Sequence, residues 1–276
     1  MEWHEGWRIV GDPSTGHAKA ELLPMPTCAF CGGVGRREIV LNGVTRAGKC
    51  RCQRVVDRVA LFNIAGIPAR HAKCSLESFD QSLPGAKPGW DTAKSWLDRF
   101  RPDQEGQGLV LSGEPGRGKT HLMVAVVREL IFRHGVEVRF VEFTHLLSRI
   151  REGMDRGDGD ATTLTPLVKV PVLAIDELGK GRKTDWELTI IDEIVTRRYN
   201  SGGVLLATTN FLFRPYRPEE LRQIQQARER GGASLAHGAL EQLSDRLGDR
   251  VFSRLRETVR FGGVVGEDYR ALRSVK

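Results

Sequence analysis

The sequence lacks the long apolar run that a membrane span requires. No stretch approaches the ~18–20 apolar residues of a transmembrane helix, and the acidic N-terminal segment MEWHEGWRIVGD has no apolar core of the signal-peptide type. Cysteine is confined to five positions. These absences favour a cytoplasmic protein, in which cysteines serve as metal ligands or free thiols rather than as disulfides.

The charge balance is basic. The 276 residues include 42 lysines and arginines against 35 acidic residues, a formal net charge of +7. Such a balance suggests a polyanion as partner, because lysine and arginine release counterions from phosphates. A basic protein with no such partner is the alternative, since net charge informs on association and not on fold.

Short apolar segments alternate with amphipathic ones from Gly108 onward. The runs at 109–111, 172–175 and 204–207 are typical of buried parallel strands, and the segments 120–133 and 186–199 have helical spacing of apolar residues. This alternation predicts an α/β fold, in which helices flank a parallel sheet.

A phosphate-binding motif follows the first of these strands. The segment fits G-x-x-x-x-G-K-[ST] and precedes a predicted helix, which is the context the motif needs. Backbone N–H groups and the helix N-terminus would cradle ATP phosphates, Lys119 would reach the β- and γ-phosphates, and Thr120 would ligate Mg²⁺. The predicted cofactor-binding residues are Gly113, Glu114, Pro115, Gly116, Arg117, Gly118, Lys119, Thr120 and, from the next motif, Asp176.

Two carboxylates follow the strand 172–175. The carboxyl end of a parallel strand lies beside the phosphate loop, so Asp176 would hold Mg²⁺ together with Thr120. Glu177 would act as general base on the attacking water. The sequence therefore predicts an ATPase of the P-loop AAA+ type.

Polar residues elsewhere extend this hypothesis. Asn210 follows the strand 204–207 and would hold the lytic water or touch the γ-phosphate; a turn-forming asparagine is the alternative. Arg250 and Arg254 are four residues apart and share one helix face. Given the other motifs, Arg254 would reach the ATP of a neighbouring subunit; a solvated basic helix is the alternative.

Four cysteines near the N-terminus have the spacing of a zinc site. Cys28 and Cys31 form a C-x₂-C pair, and Cys50 and Cys52 close it with C-x-C. Four thiolates complete a structural zinc shell, and the metal would fold a segment too small for its own core. Unrelated free thiols are the alternative. Cys74 is expected to be a plain thiol.

In combination these motifs resemble the DnaC/DnaI-type bacterial replicative helicase loaders and, more loosely, the IstB-type transposition ATPases. The resemblance spans about residues 28 to 270 and rests on the cysteine pairs followed, in order, by IPAR (67–70), SLESFD (75–80), GEPGRGKTHL (113–122), LAIDELGKGRKTDWE (173–187), RRYNSGG (197–203), VLLATTNF (204–211), GDRVFSRL (248–255) and GEDYR (266–270).

The resemblance implies an ATP-dependent loader that assembles on a hexameric replicative helicase and helps to place it on single-stranded DNA. It implies that Arg254 is an arginine finger with Arg250 as its companion, and that the zinc-bearing part contacts the helicase. Because Arg254 would grip the γ-phosphate across an interface, we expect ATP to promote self-association. The 22 residues after Arg254 are too few for a full helical lid, as in the family. The alternative is an IstB-like helper that binds DNA and recruits a transposase. A segment from Phe213 to Leu240 exceeds the usual family link.

These arguments predict three regions. Residues 1–22 are expected to be an irregular arm, 23–66 a zinc-binding module with a linking helix, and 67–276 an AAA+ ATPase domain. The implied cofactors are ATP, Mg²⁺ and Zn²⁺.

Overall fold

The computed structural model describes residues 6–23, 27–41, 43–83, 85–102, 107–214, 241–265 and 268–269. The Phe213–Leu240 segment, noted above for its length, lies outside the described residues except at Phe213 and Arg214. No helix of the described part is both long and apolar enough to cross a bilayer.

In the part of the chain that the structure describes, nine strands form three separate sheets. Two are antiparallel hairpins and the third is a five-stranded parallel sheet with strand order β6-β7-β8-β5-β9. The strands are β1 (Trp7–Asp12), β2 (His17–Leu22), β3 (Arg36–Leu41), β4 (Val44–Lys49), β5 (Gly108–Ser112), β6 (Val138–Glu142), β7 (Val172–Asp176), β8 (Val204–Thr209) and β9 (Val259–Gly263).

Helices cover both faces of the parallel sheet. They are α1 (Gln53–Ile64), α2 (Lys87–Arg99), α3 (Lys119–Glu129, continued by a π-turn over Leu130–His134), α4 (Phe143–Asp155), α5 (Asp160–Thr163), α6 (Thr165–Lys169), α7 (Asp185–Ser201), α8 (Leu243–Leu247) and α9 (Asp249–Thr258). A 3₁₀ turn spans Ala69–His71. The predicted α/β architecture is confirmed, and among the described residues no helical lid follows β9.

The three central strands are buried along their whole length. Every residue of β5, β7 and β8 is buried, and alternate side chains belong to two cores, one on each face of the sheet. One core packs α1, α2 and α3 on the sheet, and the other packs α4, α7 and α9. Parallel sheets require this double cover, and it holds the carboxyl ends of the strands at one edge.

The prediction of an irregular arm over residues 1–22 is wrong. Residues Trp7–Asp12 pair with His17–Leu22 in full antiparallel register. Ala18 and Ala20 are buried in the core that includes α1, and Trp7 stacks on Phe132 with ring centroids 3.8 Å apart. The hairpin is therefore part of the main body.

The linking helix also packs on the core of the parallel sheet, because α1 buries Val59 and Phe62 there. Ahead of it, β3 and β4 form a hairpin between the two cysteine pairs. The division of the chain at residue 66 stays a prediction.

Candidate nucleotide site and metal centre

The predicted phosphate loop connects β5 to α3. Gly116 and Gly118 have φ of 80° and 86°, a left-handed conformation that side chains other than glycine rarely adopt. Because α3 begins at Lys119, its free N–H groups face the loop. This is an anion-binding geometry, in which a helix N-terminus and a curled backbone supply the donors.

Lys119 lies inside this curl. Its side chain is buried, and its Nζ donates to the carbonyl oxygen of Glu114 at 2.7 Å. The Glu114 carboxylate in turn pairs with Arg117 at 2.6 Å. The loop thus holds its lysine ammonium on its own backbone, where it is available to phosphate oxygens.

Asp176 is tied to the phosphate loop and to the neighbouring strand. The Thr120 hydroxyl donates to its Oδ1 at 2.9 Å, and the Thr208 hydroxyl donates to the same oxygen at 2.5 Å. Burial raises the pKa of Asp176, while the two hydroxyls oppose that rise. A carboxylate beside a hydroxyl is a donor set that suits Mg²⁺, and a bound cation would favour the ionised form.

Glu177 leaves the strand in a strained conformation. Its φ is 58°, uncommon for a residue with a side chain. Its N–H donates to the Thr208 hydroxyl at 3.0 Å, and its Oε2 pairs with Lys180 Nζ at 2.5 Å. Glu177 also lines the cavity that contains the phosphate loop.

One cavity of about 560 Å³ joins these groups. Its lining includes Lys119, Thr120, Asp176, Glu177 and Asn210. The structure thus brings together the residues that the two strand-end motifs predicted, with Asn210 just past the end of β8. The volume falls within the ~300–1,000 Å³ typical of small-molecule sites.

The SLESFD segment forms another wall of this cavity. His121 Nε2 lies 2.9 Å from the Ser75 carbonyl oxygen and 3.1 Å from Ser78 Oγ, and its ring meets Phe79 edge-on with centroids 5.4 Å apart. Burial lowers the pKa of His121, so the ring stays neutral at pH 7. Cys74 also lines the cavity, and burial raises its thiol pKa to about 11.

Sequence reasoning missed three contributors. Thr208 contacts both strand-end carboxylate residues, Lys180 pairs with Glu177, and His121 secures the SLESFD wall. Thr208 had a usable signal, since it lies in the same TTN segment as Asn210. Lys180 and His121 had no such signal in the sequence. The contact of Lys180 with Glu177 depends on the turn after β7, and that of His121 with Ser75 joins residues distant in the chain.

The two arginines of α9 lie apart from this cavity. Arg254 Nη1 donates to Asp192 Oδ1 on α7 at 2.8 Å, and Arg250 Nε lies 3.7 Å from the same oxygen. Neither residue lines the cavity of its own chain. Their predicted role therefore needs a second subunit.

The four N-terminal cysteines form one cluster. All their Sγ atoms lie within 4.8 Å of one another, with Cys28 and Cys50 3.8 Å apart and Cys31 and Cys52 3.6 Å apart. The Phe30 N–H lowers the pKa of the Cys28 thiol to about 7. Burial raises the pKa of the Cys52 thiol to about 12, and it is by their converging geometry that the four sulfurs fit a tetrahedral zinc ion.

Comparison with known proteins agrees with this geometry. The family model described as IstB-like ATP binding protein matches residues 38–217, more than half of the chain. The chain belongs to this family.

Proteins similar to this chain in sequence include replicative helicase loaders. The replicative helicase loader DnaC of Escherichia coli K12 is 27% identical over 207 residues, which cover 75% of this chain and 72% of DnaC. DnaC of Buchnera aphidicola subsp. Schizaphis graminum is 31% identical over 154 residues, covering 55% and 58% of the two chains.

Solved structures share the fold. The crystal structure of the DnaC helicase loader aligns with a TM-score of 0.57 at 26% identity, covering 71% of this chain and 99% of that one. The DnaI crystal structure aligns with a TM-score of 0.52 at 20% identity and covers 74% and 94%. The resemblance to the DnaC/DnaI group is confirmed. The DnaI structure, at 20% identity, shows a likeness of fold alone.

Proposed function

We propose that this protein is an ATP-hydrolysing loader or remodeller of the replicative DNA helicase. The observation that carries the proposal is the contact of the phosphate-loop hydroxyl of Thr120 with Asp176 in a cavity that also holds Glu177. Relatives named as replicative helicase loaders support the choice of partner.

Each residue of the cavity has a defined task in this proposal. The loop from Gly113 to Thr120 binds the ATP phosphates, with Lys119 neutralising their charge. Thr120 and Asp176 would hold Mg²⁺, which supplies a Lewis acid that neutralises developing charge on the phosphates. Glu177 accepts a proton from the attacking water, and Asn210 orients that water or the γ-phosphate.

The remaining groups act outside this cavity. Arg254, with Arg250 beside it, completes the ATP site of an adjacent subunit and stabilises transition-state charge. ATP therefore promotes self-association, and the aligned basic surfaces bind single-stranded DNA. Cys28, Cys31, Cys50 and Cys52 hold Zn²⁺, which folds the module around the β3–β4 hairpin.

The test is capture of the host's purified replicative helicase by this protein, with and without ATP. We expect ATP-dependent capture by the wild type and its loss in Lys119→Ala, whose ATP binding is measured by calorimetry. Lys169→Ala, which removes an exposed lysine of α6 that does not line this cavity, is the matched control. Absence of capture by a wild-type protein that binds ATP would argue against the loader function.

The family model supports a second candidate. A match to the IstB-like family also suits a helper ATPase that binds DNA and recruits a transposase. Capture of a transposase encoded beside this gene, in place of the helicase, would favour that function. The ATP site would work in the same way in either case.

A further inference from the structure

The hairpin between the cysteine pairs has a surface that neither the ATP site nor the zinc site explains. We name the two strands β3 (Arg36–Leu41) and β4 (Val44–Lys49) together the basic ribbon. It is a two-stranded sheet of its own. Most of its described side chains are exposed on both faces, with Ile39 and Gly48 half-buried.

The exposed charge of the basic ribbon is predominantly positive. It carries Arg36, Arg37, Arg46 and Lys49 against the one acid Glu38. Lys49 pairs with Asp57 of α1 at 2.9 Å. The three arginines have no ion pair with any residue in the part of the chain that the structure describes.

The register distributes these arginines over both faces. Arg36 pairs with Lys49 across the strands, while Ile39 pairs with Arg46. Because side chains alternate along a strand, Arg36 lies on one face with Lys49, and Arg37 lies on the other with Arg46. Cations on both faces suit a flexible polyanion that follows the ribbon. Val40 and Val44 are also exposed, but the register places them on opposite faces, so they do not form the single apolar patch on which a protein interface centres.

An exposed aromatic group lies at the cysteine end of the basic ribbon. Phe30 is 50% exposed, and the Arg51 guanidinium carbon lies 3.4 Å from its ring centroid. Aromatic rings and guanidinium planes are surfaces on which unpaired bases stack. Val34, 77% exposed, lies nearby in the chain.

We propose that the basic ribbon is a binding surface for single-stranded nucleic acid, separate from the ATPase domain. Its arginines contact the phosphates, and the Phe30–Arg51 pair offers a stacking surface. A lone hairpin is marginally stable in water, so the cysteine cluster at its base fixes the arginines in place. This inference rests on the proposed function only for the choice of single-stranded DNA as the probe.

The experiment compares two variants of the full-length, zinc-loaded protein that each lose three charges. One is Arg36→Gln/Arg37→Gln/Arg46→Gln. The control removes three exposed cations elsewhere, Lys19→Gln/Arg99→Gln/Lys169→Gln. Binding of fluorescent oligothymidylate is followed by anisotropy across a salt series.

We expect the ribbon variant to bind at least about tenfold more weakly than the control at low salt. Its slope of log K against log salt should be shallower by about 2, since each phosphate contact on a single strand contributes roughly 0.7. Equal affinities and slopes in the two variants would overturn the proposal and leave an acidic protein surface as the partner of the basic ribbon.

A gain-of-charge variant keeps the test decisive if the triple variant loses zinc. Glu38→Lys should tighten binding and steepen the salt slope, whereas Asp155→Lys, on α4, should do so less. No gain from Glu38→Lys over Asp155→Lys would contradict the proposal. ATPase rates and helicase capture are measured on the same proteins. If ATP hydrolysis and helicase capture are absent while DNA binding still depends on the basic ribbon, the result counts against the proposed function alone.

Discussion

Thr208 joins Asp176, the proposed magnesium ligand, to Glu177, the proposed general base. Its hydroxyl donates to Asp176 and accepts the N–H of Glu177. We expect Thr208→Val to slow ATP turnover by about tenfold, because Asp176 loses a hydrogen bond that favours its ionised form and Glu177 loses its anchor. Steady-state ATPase assays across Mg²⁺ concentrations measure this.

Thr209→Val is the matched control for that prediction. Thr209 is equally buried, but its hydroxyl donates to the Leu178 carbonyl oxygen and touches neither carboxylate. Equal losses in the two variants would show a general effect of packing in β8, and would remove Thr208 from the site.

Glu177 is the residue on which hydrolysis itself should depend. Glu177→Gln keeps the size of the side chain but cannot accept the proton, so turnover should fall by roughly 10²-fold or more. ATP binding, measured by calorimetry, should persist because the phosphate loop is unchanged. A turnover rate equal to that of the wild type would exclude Glu177 as the general base.

Among the residues of the candidate site, those that belong to contiguous motifs were predicted from the sequence, and those that contribute through isolated contacts were not. The phosphate loop and the two strand ends are encoded by contiguous patterns, and they line one cavity. Lys180 and His121 also line this cavity, where Lys180 pairs with Glu177 and His121 contacts the SLESFD segment. No local pattern specifies such contacts, so the sequence alone could not reveal them.

Among the elements, α7 is fastened to the sheet by a buried arginine. Arg198, 2% exposed, donates to the carbonyl oxygens of Leu167, Val168, Val170, Pro171 and Val204. Burial lowers its pKa to about 10, so it remains charged at neutral pH. The contacts fix α6 and α7 at the amino ends of β7 and β8, opposite the cavity that contains the phosphate loop.

Arg198→Met should therefore lower the free energy of unfolding by about 2–4 kcal/mol, because it leaves several buried carbonyls without a donor. Chemical denaturation measures the change. Arg197→Met is the control, since Arg197 is partly exposed and pairs with Glu193 one turn away; it should cost less than ~1 kcal/mol. Comparable losses would mean that the carbonyl contacts of Arg198 contribute little.

The cysteine module is the element whose folding should depend on metal. We expect elemental analysis to find about one zinc per chain, held by the four clustered thiolates. Cys50→Ser/Cys52→Ser should lose the metal and expose the β3–β4 hairpin to protease, while the parallel sheet stays folded on its own cores. Full zinc retention in that variant would disprove the site.

Elements with strong apolar runs were predictable, and those without were not. The apolar runs at 109–111, 172–175 and 204–207 became β5, β7 and β8 with small shifts at their ends. The β1–β2 hairpin was missed because its inward residues on β2 are Ala18 and Ala20. Alanine has low strand propensity and gives little alternation in hydrophobicity; the burial of these residues depends on α1, far along the chain.

For the whole molecule, the position of Arg254 raises the question of assembly. Its side chain is held by Asp192 and lies outside the cavity of its own chain. Arg250, on the same helix, is 72% exposed. A phosphate-loop ATPase without an arginine at the γ-phosphate binds ATP but hydrolyses it weakly. Each subunit is therefore expected to borrow this arginine from a neighbour.

A mixing experiment tests that expectation. Lys119→Ala should lack a working pocket, and Arg254→Ala should lack the arginine, so each protein alone should fall at least ~10²-fold in ATPase rate. Mixed together, an intact pocket in an Arg254→Ala subunit can meet Arg254 of a Lys119→Ala neighbour, and activity should return in part. The control replaces the second protein with Lys119→Ala/Arg254→Ala, which can supply no arginine and should restore nothing. If the first mixture stays inactive at every ratio while light scattering shows that the subunits co-assemble, Arg254 acts within its own chain, and its contact with Asp192 serves to join α9 to α7.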